Sequence, residues 1–305
     1  MSIPFAAVGR ALRYAGFDAV REFVARNYHS LRSSLDPDPV LDADWDLLVV
    51  LDACRADLYE TVVAEGEYDG LEAGETRISP GSSTTEWLRA VFGTASDGVV
   101  GSIGYVSGNP YTGRLLDPER FGVLEEVWRY AWDDELGTIR PRKVTDRAIA
   151  VGREHDVDRL VVHYMQPHFP SVVDPQDGGV SLATFGDEQM AVWKDLRYGW
   201  RDVPSVWEHY RRNLEVVLGE VEVLLTNVDA DRAVVTADHG NAFGEKHIYG
   251  HPSSVDLPCL REVPWCVTTA TDYGAHQPAI RENPSETETP DDPIDDRLRS
   301  LGYNQ

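Results

Sequence analysis

The chain has 305 residues, 42% of them hydrophobic, enough to bury the core of one large α/β domain or two small ones. Its 52 acidic residues outnumber 28 basic ones, giving a net charge of −24, and only Lys143, Lys194 and Lys246 are lysines. That balance excludes a nucleic-acid partner, because no basic stripe exists to displace condensed counterions. It is the composition expected of a halophilic, archaeal protein, whose self-repulsion is screened within roughly 3 Å at 1 M salt. Cys54, Cys259 and Cys266 are too few and too irregular for a disulfide framework or a thiolate metal site. With no run of eighteen apolar residues and no apolar signal core near the start, the expected location is cytoplasmic.

In chain order, Phe5, Val8, Leu12, Val20, Phe23 and Val24 recur near helical spacing. Their stretch inverts the charge of the rest, with Arg10, Arg13, Arg21, Arg26 and Arg32 against only Asp18 and Glu22. Such a helix either docks peripherally on an anionic membrane or partner, or packs on the body with its arginines toward solvent. Residues 1–44 form this helix and a Pro/Asp-rich linker, 45–281 the folded domain, and 282–305 an acidic, flexible tail. Within the domain, residues 47–51 make a buried strand, 58–64 a helix, 78–84 a Ser/Gly/Pro loop and 85–92 a helix. Strand 99–106 closes on Ser107-Gly108-Asn109-Pro110. Helix 142–153, strand 159–164, helix 206–225, a strand ending at Thr236 and strand 263–268 follow. Strands alternating with helices predict an α/β fold, a mainly parallel central sheet with helices on both faces.

Four segments place polar groups where this topology puts strand ends. Asp52 follows the first strand directly. Ser82, Ser83 and Thr84 precede a helix, His163 and His168 flank another strand end, and Asp238-His239-Gly240 follows Val234-Val235-Thr236-Ala237. Nothing about burying a core calls for Asp-His-Gly at that place. Two carboxylates and an imidazole can hold one divalent cation (Mn, Zn, Ca or Mg) with a position left open, and a hydroxyl at a helix N-terminus can enter it. The helix dipole there favours an incoming phosphate or sulfate group.

Each group also has a plainer use. Asp52, Thr84 and Asp238 are residue types that cap helices, His168 can shape a proline loop, and His163 can be a satisfied core histidine. Arg55 can either grip an anion as a fork or pair with Asp57. In Glu245-Lys246-His247-Ile248-Tyr249-Gly250-His251-Pro252, His251 is the foremost candidate for a substrate contact, with His247 and Lys246 behind it, because glycine and proline fix its backbone.

These motifs resemble the alkaline phosphatase/sulfatase superfamily, most closely its sulfatase-like branch. The resemblance rests on Val49-Val50-Leu51-Asp52-Ala53-Cys54-Arg55-Ala56-Asp57, on Gly81-Ser82-Ser83-Thr84-Thr85-Glu86, on Pro167-His168-Phe169-Pro170, and on Thr236-Ala237-Asp238-His239-Gly240 with Phe243-Gly244-Glu245. It implies an alkaline-phosphatase-like three-layer sandwich, with Asp52, Asp238 and His239 as metal ligands. It further implies one Ser/Thr hydroxyl as nucleophile and additional ligand, and His168 on the substrate oxyanion. Helix register favours Thr84 over Ser83 and Ser82. No cysteine occupies the nucleophile loop, which removes formylglycine chemistry, and the strand end that offers His163 and His168 lacks the Asp of an Asp-x-x-x-His ligand pair, which favours a single metal. The implied activity is hydrolysis or transfer of phosphate or sulfate esters, lipid- or glycan-linked, through a covalent intermediate. The alternative is a catalytically weak member acting as a binding or scaffold protein docked by its N-terminal helix.

Overall fold

The computed structural model describes residues 20–29, 35–173, 182, 185 and 191–279. The amphipathic stretch before residue 20 and the acidic tail from residue 280 lie outside these. Seven strands form the main sheet: β1 (Leu47–Leu51), β2 (Glu75–Ile78), β3 (Ile103–Ser107), β4 (Val123–Glu126), β5 (Arg159–Tyr164), β6 (Ala230–Thr236) and β7 (Glu262–Ala270), in the order β2-β7-β6-β1-β5-β3-β4. The five strands from β6 to β4 are parallel, and only β7 runs antiparallel, against both β6 and β2. The mainly parallel α/β sheet expected from the sequence is the one found.

Every residue of β1 is buried, and its side chains alternate strictly between two cores. Leu47, Val49 and Leu51 pack against α1 (Ala56–Glu65), α3 (Pro141–Glu154) and α5 (Val203–Leu225). Leu48 and Val50 face the other way, toward Trp87, Leu88, Val91 and Phe92 of α2 (Thr84–Phe92). A strand buried on both faces must read as a continuous apolar run, which is why β1 and β5 are conspicuous in sequence. The expected strand over 99–106 begins later. Asp97–Val100 makes one helical turn, with the amides of Val99 and Val100 on the Ser96 carbonyl. Strands β2 (Glu-Thr-Arg-Ile) and β4 (Val-Leu-Glu-Glu) have no signature of their own, because they are short, polar edge strands.

Register fixes what meets at the carboxyl edge. Val50 of β1 lies beside His163 of β5 on one side and Thr236 of β6 on the other. The residues just past β1 and β6 therefore emerge as neighbours at the centre of the sheet, where open α/β sheets place their sites. Among the described residues no helix is long and apolar enough to cross a membrane. With a net charge of −24, the melting temperature is expected to rise as KCl is raised from about 0.1 M to about 2 M. A flat or falling curve in a thermal scan would contradict the self-repulsion argument.

Candidate metal centre and nucleophile

Asp52 leaves β1 into a tight turn. Ala53 takes a left-handed conformation (φ 60°), uncommon for a residue with a Cβ, and this aims its amide back at the neighbouring strand end. That amide donates to Asp238 Oδ1 at 3.0 Å, and the amide of His239 donates to the same oxygen at 2.9 Å. Tyr210 of α5 clamps the turn, its hydroxyl donating to the Ala53 carbonyl and accepting from the Arg55 amide at 3.1 Å. Asp52 is anchored by its second oxygen, Oδ2, which accepts from Asn109 Nδ2 at 2.7 Å. Asn109 stands in the turn after β3 and is held in place through its own Oδ1, which accepts from the Tyr111 amide.

Each carboxylate thus has one oxygen spoken for and one left over. Asp52 Oδ1 and Asp238 Oδ2 are buried and have no hydrogen-bond partner. His239 completes the set. Its Nδ1 lies 2.8 Å from the Gly240 carbonyl, which can only accept, so the hydrogen sits on Nδ1 and the Nε2 lone pair faces inward. Nε2 is 3.4 Å from Asp238 Oδ2, 3.7 Å from Asp52 Oδ1 and 3.2 Å from the Thr84 hydroxyl. Among the described residues, Asp52, Asp238 and His239 form the one group of three metal-ligating side chains whose ligand atoms all lie within 4.8 Å of one another. Burial and the facing charge of Asp238 push the Asp52 carboxyl well above the ordinary range, against the pull of Asn109. Two desolvated carboxylates with free oxygens and one inward lone pair fit a divalent cation.

Thr84 is the first residue of α2 and is 3% exposed. The three hydroxyls of its loop diverge. Ser82 Oγ lies 3.0 Å from Glu86 Oε2 and 2.9 Å from the Pro252 carbonyl, and it accepts from the Val255 amide. Ser83 Oγ lies 2.8 Å from Ser253 Oγ and 3.2 Å from Thr85 Oγ1. Thr84 is the one whose hydroxyl reaches His239.

The histidines predicted from sequence converge on the same place. His168 Nε2 lies 2.8 Å from His251 Nε2, and His251 stacks on His239 with ring centroids 4.5 Å apart. His168 Nδ1–H donates to the Phe169 carbonyl, so its Nε2 accepts from His251 Nε2–H. Burial, then the proximity of His239, lowers the His168 ring to about 4, and burial holds His251 well below its usual value, so both are neutral at pH 7. His163 faces α2. Its Nδ1 is 2.8 Å from the Tyr105 hydroxyl and its Nε2 is 3.8 Å from Asp238 Oδ2, while burial lowers it to about 4.

Arg55 is occupied elsewhere. It forks onto Asp57 at 2.9 and 2.6 Å and also binds Glu245 and the Asn241 carbonyl. Of its two sequence readings, the structure shows the pairing with Asp57. Lys246 and His247 are exposed on the loop after the ligands.

Three residues escape sequence reasoning. Asn109 orients Asp52, Ser79 donates its hydroxyl to the Asp238 carbonyl, and Asn213 of α5 donates to the Pro167 and His168 carbonyls at 3.1 and 3.0 Å. Only Asn109 had a signal, the turn that closes a buried strand at the same sheet edge. Gly240 has a steric role too. A Cβ there would lie 2.2 Å from the Cys259 carbonyl oxygen and 3.1 Å from Arg55 Cγ. Gly240→Ala is therefore expected to cost about 2 kcal/mol or more in urea unfolding, because the first contact is backbone and cannot yield.

A mainly parallel seven-stranded sheet covered by helices on both faces is an α/β fold of the alkaline-phosphatase-like kind. In particular, the chain is similar to the integral membrane lipooligosaccharide phosphoethanolamine transferase A of Neisseria meningitidis, with a TM-score of 0.50 at 12% identity over 89% of this chain. It spans 59% of that transferase's length. The periplasmic domain of phosphoethanolamine transferase EptC from Campylobacter jejuni gives a TM-score of 0.49 at 14% identity, over 73% of this chain and 78% of that one. A putative sulfatase from Bacteroides thetaiotaomicron gives 0.46 at 11%, over 76% and 64%. No protein-family model matches the sequence, and no curated protein matches it. The likeness is one of fold.

Proposed function

We propose that the chain is a cation-dependent hydrolase or transferase of phosphate or sulfate esters, with Thr84 as nucleophile. One observation carries this: the Thr84 hydroxyl, at a helix N-terminus, sits 3.2 Å from the inward nitrogen of His239, beside two carboxylate oxygens that have no partner. Asp52, Asp238 and His239 would hold the cation, with Thr84 as a further ligand. When bound, such an ion polarises an ester oxygen and lowers the pKa of an adjacent hydroxyl.

The protein's own groups account for the rest. Thr84 Oγ1 gives its proton to solvent and attacks phosphorus or sulfur. The bond to the leaving oxygen breaks, and the group rests covalently on Thr84. Amides at the start of α2 point at the transferred oxyanion and stabilise it. The His251 Nε2–H, turned toward His168 in the free protein, is the donor available to an ester oxygen, and His168 holds it in place. Water or an acceptor hydroxyl then displaces Thr84. One solved structure that matches over 89% of this chain is by name a lipooligosaccharide phosphoethanolamine transferase. For this chain that supports an ester carried on a lipid or a glycan, met at a membrane surface.

The test is an assay in concentrated KCl with manganese, zinc, calcium or magnesium, offering aryl phosphate, phosphodiester and sulfate esters. Turnover should require the cation and vanish with chelator. Its absence with every metal and ester class would sink the proposal. An added alcohol that diverts product from hydrolysis to transfer separates the two reaction outcomes.

A further inference from the structure

His163 stands beside the candidate centre with no part in the reaction set out above. It lies on β5 next to Val50 of β1 and is fully buried. Its ring meets the edge of Trp87, one turn into the helix that starts at Thr84, with centroids 5.8 Å apart. Its Nδ1 is 2.8 Å from the Tyr105 hydroxyl. Its Nε2 has no hydrogen-bond partner among the described residues, and 3.8 Å away stands Asp238 Oδ2, buried and equally unpartnered. Buried polar atoms without a partner are uncommon, and two of them facing each other at a candidate ligand call for a reason.

Tyr105 fixes which ring nitrogen carries the hydrogen. Its own ring packs against Phe92 and Phe121, which offer no acceptor. Among the described residues its hydroxyl has His163 Nδ1 as its only hydrogen-bond partner. The hydroxyl therefore donates and Nδ1 accepts, which puts the ring hydrogen on Nε2, on the side of the Asp238 carboxylate. The opposite tautomer would strand the phenol hydrogen and set a lone pair against a carboxylate oxygen. At 3.8 Å the approach is a charge–dipole contact in a buried, low-dielectric setting, not a full hydrogen bond. Asp238 Oδ1 is already held by the amides of Ala53 and His239. The Nε2–H thus acts on the other oxygen, the one left for a cation.

We propose that His163 is a positioning residue for Asp238: its Nε2–H, set there by the Tyr105 hydroxyl on Nδ1, holds Oδ2 in the orientation that ligates a cation. This rests on the cation-dependent reading of the centre. His163 touches neither substrate nor reacting atoms, and it acts only through Asp238. Groups that orient a ligand from behind are worth about tenfold to a hundredfold in metal affinity.

The test measures manganese binding without turnover. The full chain is titrated calorimetrically with manganese in concentrated KCl, as the parent, His163→Gln and His163→Asn. The Gln amide nitrogen reaches where Nε2 stands and keeps a donor toward Asp238, whereas Asn reproduces Nδ1 and keeps only the Tyr105 contact. Gln should hold the parent Kd within about threefold, and Asn should weaken it at least about tenfold. A ring that only fills space or serves Tyr105 predicts Asn equal to or better than Gln, and that result would overturn the proposal. Nitrogen NMR of the metal-free parent, with ring-labelled histidine, gives a second measurement that no variant's folding can confuse. It should show His163 as the Nε2–H tautomer, and hydrogen on Nδ1 alone would overturn the proposal. A parent that binds no manganese would overturn it as well. Failure of the catalytic proposal alone would appear instead as absent turnover in a protein whose manganese affinities follow the expected order.

Discussion

Thr84→Ala is expected to lower kcat at least about a thousandfold while leaving the protein folded, because it removes the atom on which the covalent intermediate forms. The side chain is 3% exposed and small, so its loss opens little volume and removes no helix cap; Ser83 holds the N-cap position. Serine at the same position should retain measurable turnover, since it keeps the hydroxyl. Ser83→Ala and Ser82→Ala are the informative controls. Ser83 is engaged by Ser253 and Thr85, and Ser82 by Glu86, the Pro252 carbonyl and the Val255 amide. Their replacement should cost at most about tenfold in kcat, and Ser82→Ala should cost about 1 kcal/mol of stability because the Val255 amide loses its acceptor. Steady-state assays and trapping of a phosphorylated threonine by mass spectrometry decide the matter. An active Thr84→Ala beside a dead Ser83→Ala would move the nucleophile by one residue and leave the rest of the centre standing.

The second large effect concerns the cation and stability. Asp52 and Asp238 face each other from neighbouring strand ends, both essentially inaccessible, each with an oxygen lacking a partner. Without a cation the pair is a liability: burial, then the charge of Asp238, disfavours the ionised form of Asp52. A divalent ion that binds only the folded state should stabilise it by about 2.7 kcal/mol at a hundredfold excess over its Kd, several degrees in melting temperature for a domain of this size. Asp238→Asn should lose most of that response. Asp52→Asn should show a crossover. With chelator it should be as stable as the parent or more so, because one buried charge is gone, and with metal it should be clearly less stable. Differential scanning calorimetry of the three proteins, with and without each metal, measures this. Melting curves indifferent to all four cations would remove the metal centre.

Sequence and structure contributed to this picture at different levels. Apolar runs ending in a polar residue marked β1, β5 and β6, because a strand buried on both faces leaves no other pattern available. Edge strands β2 and β4 carried no such mark: Glu125 alone among their residues is buried, and their pairing is set by neighbours distant in sequence. The residues of the site could be nominated singly, as Asp52, Thr84, His168, Asp238, His239 and His251, since each stands beside a strand end, a helix start or a proline or glycine. Choice among Ser82, Ser83 and Thr84 could not be made locally with the same force. It depends on which hydroxyl points at His239, and that follows from how α2 packs through Trp87, Leu88 and Phe92 on the sheet face opposite α5.

The sequence by itself determined the acidic composition, the class of fold, and the Asp and His residues at the strand ends, all properties of composition and short periodicity. Tertiary structure alone decided that Asn109, Ser79 and Asn213 hold those groups, that Arg55 is committed to Asp57, and that the N-terminal segment packs Ala25 against the apolar cluster flanking His251. Each of these is a contact between segments far apart in the chain, and its geometry exists only once sheet register and helix packing have brought the partners together.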